Sequence, residues 1–302
     1  MKRIISSLLL TVVLTLTGVN AQNNATRTNG NARSNAPVSL MLPNKEGDVR
    51  FLVMGDTGTG TDKQQQLAQL MLRYRQIFPF EFALMLGDNL YGSDKAVDYK
   101  QKFEDIYRPL IDQKVKFYAA LGNHDDSNQR FYEFFNMDGQ EYYRFTKGNV
   151  SFYSLNSNYM DKKQLDWLTG KLATDTSPWK IAFFHHPPYS SGGAHGSDTK
   201  LREIVEPIFI KHGVNVVFAG HEHFYERIKP QNGVAYFISG SGGKLRKGDV
   251  NKASPLMAKA YDDDMSFMLI EIDDKEMHFQ VVSRTGETVD SGVVVNQRKS
   301  ST

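Results

Sequence analysis

The strongest constraint in this sequence is a pattern that occurs five times: a short apolar run, then at once a residue able to bind a metal ion. The runs are 50–54, 82–86, 116–121, 180–184 and 214–219, and the residues that follow them are Asp56, Asp88, Asn123, His185, and the pair His221 and His223. Helical periodicity fills the gaps, over 63–77, 98–110, 164–172 and 200–211. Short apolar runs alternating with amphipathic stretches are how strands alternating with helices read, so the chain is expected to build an α/β core. Loops leaving the carboxyl ends of strands in one α/β sheet line a common crevice, which lets ligands scattered through the sequence meet in space. Gly55, Gly87, Gly122 and Gly220 stand beside four of them, as suits sharp turns with close backbone approach.

The flanks of this core read differently. Lys2 and Arg3 precede an apolar stretch over 4–19 and the small-residue site Val19-Asn20-Ala21, so residues 1–21 are expected to be a signal peptide. A transmembrane anchor is the weaker reading, because the stretch is short and broken by Ser6, Ser7, Thr11, Thr15 and Thr17. Residues 22–47 are rich in Asn, Thr, Arg, Ala and Gly and are expected to be a disordered linker, leaving 48–302 as the catalytic domain. The character turns to β beyond residue 234. One run over 234–239 enters Gly240-Ser241-Gly242-Gly243, and three more over 268–272, 276–283 and 288–295 alternate around Asp273-Asp274 and Thr285-Gly286, which predicts a closing antiparallel meander.

Composition narrows the function. The chain has no cysteine, so neither a disulfide framework nor a lipid-modified cysteine is possible, and a soluble exported product with no membrane anchor is expected. Without Lys2 and Arg3, 36 − 2 = 34 basic residues face 34 acidic ones, which argues against a nucleic acid partner. Of the eight histidines, His124, His185, His195, His221 and His223 fall in the loops after the strands. His212 and His278 have no such setting and read as structural; His186 is left open.

Any one of these elements is common, but the ordered set resembles the five blocks of the calcineurin-like metallophosphoesterases. The blocks are Gly55-Asp56-Thr57-Gly58, Gly87-Asp88-Asn89-Leu90-Tyr91, Gly122-Asn123-His124-Asp125, His185-His186-Pro187 and Gly220-His221-Glu222-His223. Where that superfamily usually has a metal-binding histidine, two residues after the first aspartate, this chain has Gly58. In purple acid phosphatases the missing ligand comes from a tyrosine three residues after the bridging aspartate, and Tyr91 stands there. The likeness runs from about 49 to 295 and is greatest to the small single-domain members. Thr57 departs from their usual aromatic residue, and His223-Phe224-Tyr225-Glu226-Arg227 is similar to plant and bacterial versions of the last block.

The resemblance implies a four-layer αββα sandwich of mixed sheets in a single α/β domain. It implies a dinuclear centre with Asp56, Tyr91 and His223 on a ferric ion, Asn123, His185 and His221 on a divalent zinc, manganese or iron, and Asp88 bridging. His185 is preferred to His186 because the family pattern is His-x-Pro. His124 and His195 are the implied catalytic residues, as proton donors to the leaving group. The implied activity is an acid phosphatase that hydrolyses phosphate monoesters, on small molecules or phosphoproteins, through a metal-bound hydroxide. A phosphodiesterase on the same centre is the main alternative, and a binding protein of this fold that lost catalysis is a lesser one. A Ser/Thr protein phosphatase is disfavoured, since Tyr91-Gly92 replaces the Asp-Arg of its second block.

Overall fold

The computed structural model describes residues 38–297. The first half of the chain forms β1 (Val49–Met54), α1 (Asp62–Ile77), β2 (Phe82–Met85), a helical run of α2 (Ala96–Tyr99), a π turn (Lys100–Glu104) and α3 (Asp105–Asp112), then β3 (Lys116–Ala119), β4 (Tyr143–Lys147) and β5 (Val150–Ser154). The second half forms α4 (Lys162–Ala173), β6 (Trp179–Phe184), α5 (Thr199–His212), β7 (Val216–Ala219), β8 (Tyr225–Ile228), β9 (Ala235–Ser239), β10 (Met257–Tyr261), β11 (Ser266–Ile272), β12 (Glu276–Ser283) and β13 (Thr288–Val295).

Side chains that alternate across β1 show how the layers arise. Phe51 and Val53 point inward and join Phe82, Phe152, Ile181, Phe183 and Phe218 in a core between two sheets. Leu52 and Met54 point the other way, under Leu67, Met71, Phe103 and Leu110 of the first helices. A strand buried on both faces reads as a continuous apolar run, because each face has its own partner. On the far side, α4 and α5 cover the second sheet through Leu168, Leu172, Val205 and Phe209 against Tyr153, Ala182 and Phe184. The result is α/β/β/α, as the resemblance implied.

There are two mixed sheets, as the resemblance implied, so the strand ends gather from two sheets and not by the one-sheet rule alone. The strands form a six-stranded sheet in the order β13-β12-β11-β1-β2-β3 and a seven-stranded sheet in the order β10-β8-β9-β7-β6-β5-β4. The five ligand-bearing strands divide between them: β1, β2 and β3 pair in parallel in the first, β6 and β7 in the second. The closing meander is present, with β11 antiparallel to both β1 and β12 and β12 antiparallel to β13.

The expected signal peptide lies outside the described residues. Of the expected linker, residues 38–47 are attached to the domain. Leu42 is buried, Ser39 exchanges hydrogen bonds with the Tyr74 hydroxyl, Met41 N–H donates to Gln280 Oε1 at 2.9 Å, and the Asn44 and Lys45 amides donate to the Glu271 carboxylate. Val38 and Leu40 also pack against the core, so the segment is held both by its own apolar residues, which the overall composition of 22–47 masks, and by buried polar groups of other elements. Among the described residues no helix is long and apolar enough to cross a membrane.

Candidate metal centre

The parallel strands of both sheets end at the same edge of the sandwich, and backbone bonds join their loops. Gly55 N–H donates to Ser239 O at 2.7 Å across the seam, Asp56 N–H to Gly87 O at 3.0 Å, and Gly220 N–H to His185 O at 2.9 Å. Asp56, Asp88 and His221 all sit in the left-handed region, with φ of 56°, 51° and 69°. Non-glycine residues rarely adopt it, and such strain concentrates at functional sites, where the surrounding structure enforces it. Close packing explains two glycines beside them. A Cβ on Gly122 would lie 2.2 Å from Asp88 N and Oδ1, and one on Gly58 would lie 2.0 Å from Asn89 O and 2.4 Å from Leu90 Cα.

These turns bring seven side chains together in two groups. In the first, Tyr91 Oη is 3.1 Å from Asp56 Oδ1 and 3.4 Å from His223 Nε2, which is itself 3.4 Å from Asp56 Oδ1. In the second, His185 Nε2 is 3.0 Å from Asn123 Oδ1, 3.1 Å from His221 Nδ1 and 3.4 Å from Asp88 Oδ1. Asp88 also groups with Asp56 and His223, and so belongs to both. His186 lies beside the second group, with one ring nitrogen close enough to those of His185 and His221 to share an ion. His186 Nδ1, however, pairs with Ser157 Oγ at 2.9 Å, whereas His185 is fully buried and turned inward.

The donor chemistry fits cations. His185 Nδ1 lies 2.9 Å from the Leu86 carbonyl, an acceptor only, so Nδ1 carries the proton and Nε2 presents a lone pair. That lone pair faces the oxygens of Asn123 and Asp88, an arrangement of acceptors that a positive ion satisfies. Burial, helped by the neighbouring Asp88 carboxylate, pushes Asp56 up to about 8 against the pull of His185. Burial and the surrounding imidazoles push His221 down to about 2, and burial with Arg246 and Lys244 pushes His223 down to about 4. Burial, Asp56 and Asp88 raise the Tyr91 hydroxyl. The protein alone thus disfavours charge on Asp56, Tyr91, His221 and His223, whereas Asp88 is held below the usual carboxylate range; neutral imidazoles and carboxylates are the forms that bind metal.

The two proposed proton donors lie at the mouth. His124 is exposed, its backbone N–H donates to Asp88 Oδ1 at 3.0 Å, and its ring centroid is 5.1 Å from that of Tyr91. His195 is exposed too, 4.2 Å from His221 ring to ring, and is held below the usual imidazole range by burial and by Arg246. His212 ends α5, and His278 lies in β12 beside Glu276 at 3.1 Å. The sequence reading missed four residues. Asp125 accepts from the Asn89, Leu90 and Gly122 amides and so locks the second block to the third. Lys244 places Nζ 3.5 Å from the centroid of the Tyr91 ring, and Glu222 and Arg246 stand behind His195. Asp125 and Glu222 lie inside the motifs themselves, whereas nothing local marks Lys244 and Arg246. A cleft lined by Val214, Ile228, Phe237, Phe279 and Val294 carries none of these donors.

Comparison with known proteins agrees with this arrangement. The family model for calcineurin-like phosphoesterase matches residues 49–225, and the chain belongs to that family, the metal-dependent phosphoesterase hydrolases. Within it the chain is of the purple acid phosphatase type. It is 30% identical over 250 residues to tartrate-resistant acid phosphatase type 5 of Oryctolagus cuniculus, covering 68% of this chain and 77% of that one. It is 27% identical over 263 residues to purple acid phosphatase 17 of Arabidopsis thaliana, covering 74% and 77%. In fold it is similar to the purple acid phosphatase from yellow lupin seeds, with a TM-score of 0.70 at 17% identity over 86% of this chain and 55% of that one. It is equally similar to GAP50, an anchor in the inner membrane complex of Plasmodium, with a TM-score of 0.73 at 22% identity over 83% and 90%. Membership of the purple acid phosphatase type implies a dinuclear metal site, and the described Asp and His clusters suit one.

Proposed function

We propose that the protein is an exported acid phosphatase that hydrolyses phosphate monoesters at one ferric and one divalent ion, the latter zinc, manganese or iron. In this reading Asp56, Tyr91 and His223 hold the ferric ion, Asn123, His185 and His221 hold the divalent one, and Asp88 bridges. The observation that supports it best is the exchange between Gly58 and Tyr91. The backbone of Asn89 and Leu90 fills the space that a side chain at 58 would need, and the Tyr91 hydroxyl stands between Asp56 and His223 instead. A phenolate with two carboxylates is a hard, anionic donor set suited to a trivalent ion, while two imidazoles and an amide oxygen suit a divalent one.

When bound, a pair of cations would supply positive charge and Lewis acidity at the phosphoryl group, and no protein nucleophile would be required. The chain's own residues do the positioning. Asp88 is fixed by the His124 amide, and His185 is oriented by its bond to Leu86 O. His124 and His195, at the mouth, are the candidates to hydrogen-bond the phosphate and to deliver the proton that the leaving alkoxide needs. The substrate is a phosphorylated small molecule or phosphoprotein, and the mature chain, with residues 1–21 removed, has neither a nucleic acid partner nor a membrane anchor.

The test compares two esters in one metal state. p-Nitrophenyl phosphate should be hydrolysed faster than its bis-ester, with a mildly acidic optimum; a faster bis-ester rate overturns the monoester reading in favour of a phosphodiesterase. Mass spectrometry of the exported protein should find a chain that begins near Gln22, and an intact Met1 would count against export by cleavage.

A further inference from the structure

Glu222 lies between two of the histidines that the proposed function assigns to metal, yet its side chain turns away from them into the protein and is fully buried. Its Oε1 accepts the Gly196 amide at 2.6 Å and the Ser190 hydroxyl at 3.3 Å, both in the loop that carries His195. That loop rests on the carboxylate so closely that a Cβ on Gly192 would lie 2.4 Å from Oε1. The other oxygen, Oε2, has no hydrogen bond and faces the Arg246 guanidinium at 3.5 Å. Arg246 has a second carboxylate, Asp249, at 3.6 Å, and its backbone N–H donates to the His223 carbonyl at 2.9 Å. Its remaining arm, Nη2, lies 3.3 Å from His195 Nε2.

A buried carboxylate is strongly disfavoured unless it is paired and hydrogen-bonded, and metal binding does not require a glutamate here. The contacts account for it. Glu222 holds the loop at Gly196 and holds Arg246 in place, and Arg246 holds the ring. A guanidinium has donors and no acceptor, so the bond to Nε2 leaves a neutral His195 with its proton on Nδ1. We propose that Glu222 and Arg246 are positioning residues for His195: through them the turn that carries His221 and His223 sets the place and the tautomer of the ring, so that its Nδ1–H serves the leaving oxygen as a hydrogen-bond donor. The claim rests on the reading of His195 as the group that serves the leaving oxygen.

The test is a double-mutant cycle, with a second readout independent of activity. In the metal-loaded enzyme, His195→Ala should lower kcat about 100-fold, the lower end of what loss of one positioned hydrogen-bond donor costs. Arg246→Met should give a loss of similar size, and the double variant no further loss, because both changes remove one device. Arg246→Lys should restore part of the rate, and metal analysis should find both ions in every variant. In the metal-free protein, nitrogen-15 spectra of the histidines should show His195 protonated on Nδ1 and a changed tautomer balance in Arg246→Met. Hydrogen exchange at Gly196 should speed up in Glu222→Ala and stay slow in Glu222→Gln, which keeps the accepting oxygen.

Arg246→Met with the parent kcat while His195→Ala is impaired, or losses that multiply in the double variant, would overturn the proposal. Were His195→Ala to keep full activity, the role assigned to His195 would fall instead. The nitrogen-15 and exchange measurements would then still decide the positioning claim, and an unchanged His195 spectrum in Arg246→Met would end it.

Discussion

The two sheets contribute differently to the centre. Every oxygen donor, Asp56, Asp88, Tyr91 and Asn123, follows a strand of the sheet built on β1, β2 and β3, whereas all three proposed imidazole donors, His185, His221 and His223, follow strands of the sheet that contains β6 and β7. Neither sheet can hold an ion by itself in the proposed assignment. The first group takes two oxygen residues and one imidazole, the second takes two imidazoles and one amide oxygen, and Asp88 serves both. In that assignment the asymmetry of charge follows from unequal mixing across the seam, and it teaches that two unlike sites need only a different ratio of donors from each side.

The largest expected effect comes from removing one donor from each sheet. Asp88→Ala and His221→Ala should each bring turnover to background and release metal, as read by p-nitrophenyl phosphate hydrolysis and metal analysis. If His221→Ala keeps two tightly bound ions, the imidazole half of the assignment is wrong.

Metal removal comes next. Ions that bind the folded chain at about 100 times their Kd stabilise it by about 2.7 kcal/mol, which for a domain of this size is about 5–10 °C in Tm. Because each ion draws on both sheets, amide exchange in β1 and β6 should slow together as metal is added. Slowing confined to one sheet would break the comparison.

Tyr91→Phe probes the oxygen side more gently. A phenolate on ferric iron absorbs visible light through charge transfer, so the native-metal protein should be pink to purple and the variant colourless, with some hydrolysis retained on divalent metal. A ferric protein without colour, or a variant that keeps the full band, would overturn the place given to Tyr91. The smallest effect is expected at His186, whose ring is engaged by Ser157. His186→Ala should keep both ions and lose less than about tenfold in metal affinity, below the range typical of a ligand's supporting partner, whereas His185→Ala should lose one ion.

Much of the fold was legible because burial leaves periodic traces. The five apolar runs and the helices over 62–77, 162–173 and 199–212 stand where the pattern placed them, within a few residues. β4, β5, β8 and β10 escaped notice for a physical reason; β5 is only five residues long and carries the buried Ser151 and Ser154 among its apolar residues. β4 alternates exposed and half-buried positions at the edge of its sheet, β10 is a half-exposed edge, and β8 is four residues long with a buried Glu226 and a paired Arg227 at its centre. Charged residues in a short strand look like a loop until their partners, Ser191 N–H for Glu226 and Asp290 for Arg227, are known.

The sequence by itself determined which side chains stand at strand ends and in what order, and with Gly58 and Tyr91 it pointed to one family, because ligand type and turn geometry are local properties. The tertiary structure decided how those ends divide between the two sheets, that residues 38–47 are part of the domain, and that Glu222 and Arg246 stand behind His195. Each of these depends on pairing between groups far apart in the chain. Hydrogen bonds and ion pairs between distant residues leave no period in the sequence, so the chain must fold before they can be read.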